Sequence, residues 1–249
     1  MKRIVIITIL IMFSLWSYAN WRGAFDDAYF AQPESAASPD NYTKLLLHCD
    51  GTNTSKTFTD SSLSNNAITV IGNVWVSTEQ YKFGTGSMRG SGGLDWLRCT
   101  DNISTFEFPG DFTIDMWVMF AGLSGNQGIA DSEDDLYSGT VDRFFFYKTS
   151  AGGLSFGRHS VGNVATYAWN PVTNIWYHLA VARAGSALQV FIGGVSIASV
   201  SNTTSYGADG IQIGGVASVN GINGWVDEAR ISQGIARWTN NFTPPVHSY

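Results

Sequence analysis

Charge is what this sequence has least of. Asp, Glu, Lys and Arg together make 14% of its 249 residues, with a formal net charge of −6. No block of Lys and Arg occurs, and phosphate binding needs such clusters to release counterions, so the composition argues against a nucleic-acid partner. Cysteine is reduced to Cys49 and Cys99, without a CxxC or Cys/His spacing that would suggest a metal site. After the first 19 residues no apolar run approaches the roughly 20 residues that a membrane-spanning helix needs, so no membrane span is expected in the mature chain. No internal repeat of about 20 to 50 residues is present, which disfavours a propeller or solenoid. A helical bundle is disfavoured too, because Gly, Ser, Thr, Asn and aromatics are abundant instead.

What is present begins with a start that reads as a secretory signal peptide. Lys2 and Arg3 precede a nearly unbroken apolar stretch, Ile4 to Trp16, and Ser17-Tyr18-Ala19 supplies a small-x-small site. Cleavage is expected after Ala19, giving a secreted, extracellular chain. An uncleaved N-terminal anchor is the rival reading. Residues 1–19 are thus assigned to the signal, residues 20–42 to a leader containing the cluster Pro33 to Pro39, and residues 43–249 to one β-sandwich domain. In an oxidising compartment an isolated pair of cysteines is more often bonded than free, so a Cys49–Cys99 disulfide is expected.

Strand-like runs start at Thr43 and recur at short intervals, with Gly or Asn in nearly every gap. In Phe112 to Val118 the apolar residues Phe112, Ile114, Met116 and Val118 alternate, which places them on one core-facing side. Gly193-Gly194, between Leu188 to Ile192 and Val195 to Ser199, reads as a tight hairpin turn. A dozen such runs without a convincing helix point to an all-β fold of two packed antiparallel sheets.

Seven segments in consistent order carry a family pattern: Lys44 to Thr52, Phe58 to Ser62, Lys82 to Gly84, Gly110 to Val118, Trp176 to Arg183, Gly224 to Ser232 and Ala236 to Pro245. They resemble the laminin-G-like members of the concanavalin A-like lectin/glucanase superfamily. The resemblance implies a jelly-roll β-sandwich in which the first strand and the Val226 to Ile231 strand lie near each other. It also implies a glycan-binding or structural module of the kind found in secreted bacterial proteins, adhesins and phage virions. Cys49 and Cys99 stand where similar sequences usually carry apolar core residues, and Trp75 and Trp169 replace smaller ones.

Sugar recognition needs a flat apolar face for C–H groups and polar groups for hydroxyls. Trp75, Trp96, Tyr137, Tyr167 and Trp169 are the aromatic candidates, with Asp131, Asp134 and His159 as polar partners; the plain alternative is that these aromatics are ordinary core or rim residues. Trp117, Trp176 and Trp225 fall inside family strand segments and are assigned to the structure. The acidic run Asp131 to Asp135 offers paired carboxylates, but it sits in an apparent loop without the one-face spacing of a glycosidase pair. Structural calcium is expected at Asp50, Asp60, Asn65 and Asp227, in keeping with similar folds. The competing reading is that Asp60 caps a turn and Asp227 pairs with Arg230 or Arg237. The histidines have no Ser or Cys partner at a recognisable spacing.

The sequence therefore describes an extracellular lectin-like module, not an enzyme, whose partner is a glycan or cell-surface polysaccharide. A self-assembling subunit of an extracellular filament or virion appendage is the alternative. A polysaccharide hydrolase or lyase would require the acidic loop to face a cleft.

Overall fold

The computed structural model describes residues 39–132, 142–216 and 219–249. Its strands are β1 (Thr43–Leu47), β2 (Thr69–Ile71), β3 (Trp75–Ser77), β4 (Ser87–Ser91), β5 (Trp96–Cys99), β6 (Phe112–Phe120), β7 (Gln127–Asp131), β8 (Phe144–Thr149), β9 (Gly153–Arg158), β10 (Gly162–Ala168), β11 (Trp176–Ala184), β12 (Ala187–Ile192), β13 (Val195–Ser201), β14 (Ile211–Ile213) and β15 (Asn223–Gln233). One 3-10 turn, Ile103–Phe106, separates β5 from β6. The strands sort into two antiparallel sheets, as the turn-rich sequence leads one to expect. The first has eight strands, β13-β12-β11-β6-β15-β4-β3 with β1 also on β15, and the second has seven, β10-β9-β8-β7-β14-β5-β2.

β15 is the longest strand and explains why the first strand lies beside it. Its N-terminal half pairs with β4 through Asn223 to Val226, and its C-terminal half pairs with β1 through Ala229 to Ser232. Between the halves the register slips at Asp227 to Arg230, and Glu228 takes a left-handed φ of 49°. This bulge leaves Asp227 and Glu228 both buried.

The core lies between the sheets. Phe112, Ile114, Met116 and Val118 of β6 are all fully buried in it, so the alternation in the sequence reports the face correctly. The second sheet answers with Leu97, Ile129, Phe144, Phe146, Leu154, Phe156, Ile211 and Ile213. Aromatic rings fill one end: Phe108 stacks on Phe112 at 4.5 Å between centroids and on Phe144 at 5.6 Å. Gly193 and Gly194 join β12 to β13 with φ of 58° and 79°, the paired positive values of a tight hairpin.

Part of the outer face of the first sheet is covered by the chain after β15. Trp238 and Phe242 stack at 3.9 Å and pack with Ala236 over Ala180, Ala182 and Phe191. Tyr249 closes this layer: its hydroxyl donates to Asp115 and its backbone N–H donates to Glu228 at 3.0 Å. Arg230 lies over the Tyr249 ring at 3.6 Å and forms a fork with Asp115, both contacts at 3.1 Å. Burial alone would raise the Asp115 carboxyl, but Arg230 and His178 outweigh it and hold the group at about 2.

The expected Cys49–Cys99 disulfide is not formed; both thiols are free and buried. Cys49 follows β1 in the first sheet and Cys99 ends β5 in the second, so a bond between them would have to span the core. Each sulfur sits over a carbonyl of its own segment, Cys49 3.7 Å from Leu47 O and Cys99 3.8 Å from Asp101 O. Both are members of the hydrophobic core, where a thiol behaves as a small apolar group. Burial raises the Cys49 thiol well above its ordinary value and the Cys99 thiol to about 11.

Candidate functional site

Strand register assembles a set of outward-facing side chains on the second sheet. Phe144 and Phe146 point into the core, so Phe145 and Tyr147, which alternate with them, point out, and both are partly exposed. Across the sheet Phe145 aligns with Gly157 of β9 on one side and Asp131 of β7 on the other. Gly157 in turn aligns with Asn163 of β10, and Asp131 with Gln212 of β14, which continues to Arg98 of β5. The next outward row contains Tyr147, Ser155 and Thr166.

Gly157 is what lets the aromatic ring lie down. A Cβ there would collide with the Phe145 ring, so only glycine allows the ring to spread over the neighbouring strand. Phe145 then meets Tyr147 edge-on at 5.4 Å and His159 edge-on at 5.3 Å. His159 is fixed by a carboxylate: its Nε2 lies 2.9 Å from Oδ1 of the fully buried Asp131. At the other end Tyr147 Oη is 3.3 Å from Asn163 Oδ1, and Ser155 Oγ is 2.9 Å from Thr166 Oγ1. The result is a run of three rings, His159, Phe145 and Tyr147, bordered by amide and hydroxyl groups. Such a surface offers an apolar platform for C–H groups with hydrogen-bonding groups at its edges.

Asp131 and His159, expected as polar partners of a ligand, are brought together here. Asp134 and Tyr137 lie outside the described residues. Trp96 alternates with the core residue Leu97 and so shares the outward side of β5 with Arg98, yet it is only 2% exposed. It packs tightly against Gly215, where a Cβ would come within 2.6 Å of it. Trp169 is half-buried at the core rim, edge-on to Tyr177 at 5.0 Å and to Phe120 at 5.9 Å. Tyr167 is 42% exposed but aligns with the core residue Leu154, so it stands at the sandwich edge rather than on the outer face. Trp75 belongs to the first sheet. Sequence reasoning passed over Phe145 and Tyr147: Phe144-Phe145-Phe146-Tyr147 is aromatic throughout, and only the alternating burial of the strand shows which two rings face out.

The residues expected to hold calcium do not fit the ion. Asp60 is buried and accepts N–H from Leu46 and Ser62 at 2.9 Å each and from Asn66 at 2.9 Å. Asp50 accepts from the Thr85 and Gly86 amides, and Asp227 from Lys82, Phe83 and Glu228. Donors thus engage both oxygens of Asp60 and Asp227 and Oδ1 of Asp50, and Asn65 is exposed. Among the described residues no group of three or more His, Cys, Asp or Glu could hold a metal. Burial pushes Asp227 up to about 7 against those amides. Arg230 and Arg237 pair with Asp115 and Asp40, not with Asp227, because the bulge in β15 separates Asp227 from the strand's C-terminal half. Asp60 does cap a turn.

Comparison with known proteins places this architecture. A family model described as the concanavalin A-like lectin/glucanases superfamily matches residues 91–237, more than half of the chain. No curated protein sequence matches. Domain 4 of AbnA, a GH43 extracellular arabinanase from Geobacillus stearothermophilus, solved with arabinotriose, is similar at 17% identity and a TM-score of 0.59, covering 78% of this chain and 93% of that one. A botulinum neurotoxin type C structure, whose title concerns two ganglioside molecules, is similar at 16% identity and 0.58, covering 80% and 49%. The Ruminococcus gnavus IT-sialidase CBM40, bound to α2,3 sialyllactose, is similar at 15% identity and 0.50, covering 59% and 89%. The chain spans about half the length of the neurotoxin binding domains, 47% of one of them. At these identities the likeness is one of fold.

Proposed function

The chain belongs to the concanavalin A-like lectin/glucanase superfamily, and on that premise we propose that it is an exported carbohydrate-binding module whose ligand lies on the outer face of the second sheet. The observation that carries this reading is the ring run His159, Phe145 and Tyr147, with Asp131 behind the imidazole and Asn163 at the far end. Phe145 is the stacking platform. Tyr147, Asn163, His159 and the exposed Thr166 hydroxyl, held by the buried Ser155, supply hydrogen-bond donors and acceptors to ring hydroxyls. The sugars named in the titles of several similar structures support a saccharide ligand, and the start of the sequence supports export.

Binding of this kind is an equilibrium, with no bond made or broken. The Asp131 carboxylate orients His159, and the Ser132 hydroxyl beside it donates to Gly207 O at 3.0 Å and accepts the Phe144 N–H at 2.9 Å. A glycan array with the full chain, followed by titration calorimetry on the best saccharide, tests the proposal. Phe145→Ala should weaken that affinity about tenfold, since an aromatic contact contributes on the order of 1 kcal/mol beyond its area. No binding across the array, or equal affinity for the variant, would contradict it.

A further inference from the structure

The outer face of the first sheet carries a separate aromatic arrangement. Register aligns Trp75 on β3 with Arg89 on β4, Arg89 with Trp225 on β15, Trp225 with Met119 on β6, and Met119 with Trp176 on β11. Their sequence neighbours Val76, Met88, Val226 and Val118 belong to the core, so this row points the other way. An indole therefore stands on every second strand of a five-strand span. With neighbouring strands about 4.8 Å apart, successive indoles root roughly 10 Å apart along the row.

The first two indoles are locked by the cation between them. The Arg89 guanidinium lies 4.6 Å from the Trp225 ring centroid and 5.9 Å from that of Trp75, within cation–π range of both. It donates to Gly224 O at 3.2 Å and Asn223 Oδ1 at 3.3 Å, which pins it against the sheet. Trp225 donates from Nε1 to Ser77 Oγ at 3.3 Å and is 8% exposed, while Trp75, Arg89 and Trp176 are partly exposed. Shielding of the sheet accounts for the buried members, Trp225 and Met119. It does not account for an evenly spaced row whose two end indoles remain open to solvent.

We propose that this row is a second carbohydrate surface, a track for an extended β-1,4-linked polysaccharide. In such a chain every second pyranose turns the same face to one side, and the two accessible end indoles, four strand spacings or about 19 Å apart, meet that face two disaccharide repeats apart. Trp75 and Trp176 take the outer pyranoses, and Arg89, with N–H donors beyond the two already engaged, takes ring hydroxyls.

The track and the second-sheet site are independent, and affinity electrophoresis of the full chain separates them. In gels containing hydroxyethylcellulose the wild type should be retarded, and in gels containing glycogen, an α-linked branched glucan, it should not. Trp75→Ala and Trp176→Ala should each weaken the retardation about 3- to 10-fold. Trp75→Phe, which keeps a ring at the same strand position, should retain most of it and stands in if the alanine variant does not fold. Phe145→Ala should leave it unchanged. Absence of retardation by hydroxyethylcellulose, equal retardation of both alanine variants and wild type, or loss in Phe145→Ala would overturn the track. None of those results removes saccharide binding detected on the array at Phe145.

Discussion

Replacing Asp115 by asparagine tests the charge cluster that fastens the chain after β15 to the first sheet. Asp115 is fully buried, accepts the Arg230 fork at 3.1 Å on each oxygen, and receives the Tyr249 hydroxyl. Its folded value of about 2 lies below the ordinary 3.8. At 1.36 kcal/mol per unit, that difference of about 1.8 corresponds to about 2 kcal/mol of stability carried by the ionised form. Because the folded value is depressed, this contribution is fully present above about pH 4 and is lost as the pH falls through the folded value near 2. The asparagine variant would lack it at every pH. Urea unfolding followed by tryptophan fluorescence should therefore show Asp115→Asn less stable by about 2 kcal/mol at pH 7 and pH 5, with the gap narrowing below about pH 4. A gap under about 0.5 kcal/mol at neutral pH, or one that stays constant on acidification, would refute the account of this cluster. Alanine is the harsher change: leaving Arg230 buried without its partner costs on the order of 3–5 kcal/mol.

Other consequences can be checked on the same material. Cys49 and Cys99 should both remain unreactive towards a thiol reagent in the folded protein and both react in denaturant, and reductant should leave the melting temperature unchanged; a reductant-dependent fall would indicate a bond between them. Calcium and EDTA should give the same melting temperature within about 1 °C, since backbone amides occupy the candidate carboxylates, and a rise of several degrees with calcium would contradict that assignment. Gly194→Ala should destabilise by more than about 1 kcal/mol, because φ is 79° there and a Cβ would collide with the Phe242 carbonyl; a neutral result in urea unfolding would show that this turn can relax.

How much of this was legible in the sequence depends on which neighbours decide each residue's environment. The alternation in β6 depends only on its own chain, and Phe112 to Phe120 forms a strand with the expected face inward. The Gly-Gly turn is equally local. β7 and β10 were not visible: Gln127-Gly128-Ile129-Ala130-Asp131 has too few apolar residues to stand out, and β10 is an edge strand whose side chains are mostly exposed. Pairing between distant segments was the harder problem. Two cysteines in a secreted-type sequence invite a bond, yet only the topology shows one in each sheet. Asp60 and Asp227 invite a cation, yet they are saturated by amides from elsewhere in the chain. Leu46 lies 14 residues from Asp60, and Lys82 lies 145 residues from Asp227. At the candidate site Asp131 and His159 were found by residue type. Phe145 and Tyr147 were not, because whether a ring on a strand is core or platform depends on which face the sheet turns inward.

The placement of a saccharide on the second sheet is open to direct mapping. Amide chemical shifts of isotopically labelled protein, recorded while the best saccharide from the array is titrated in, report the contact residue by residue. The account predicts that the largest changes fall on Asp131, Phe145, Tyr147, Gly157, His159 and Asn163. Changes confined to the loops at the sandwich ends, with these residues unmoved at saturation, would contradict it.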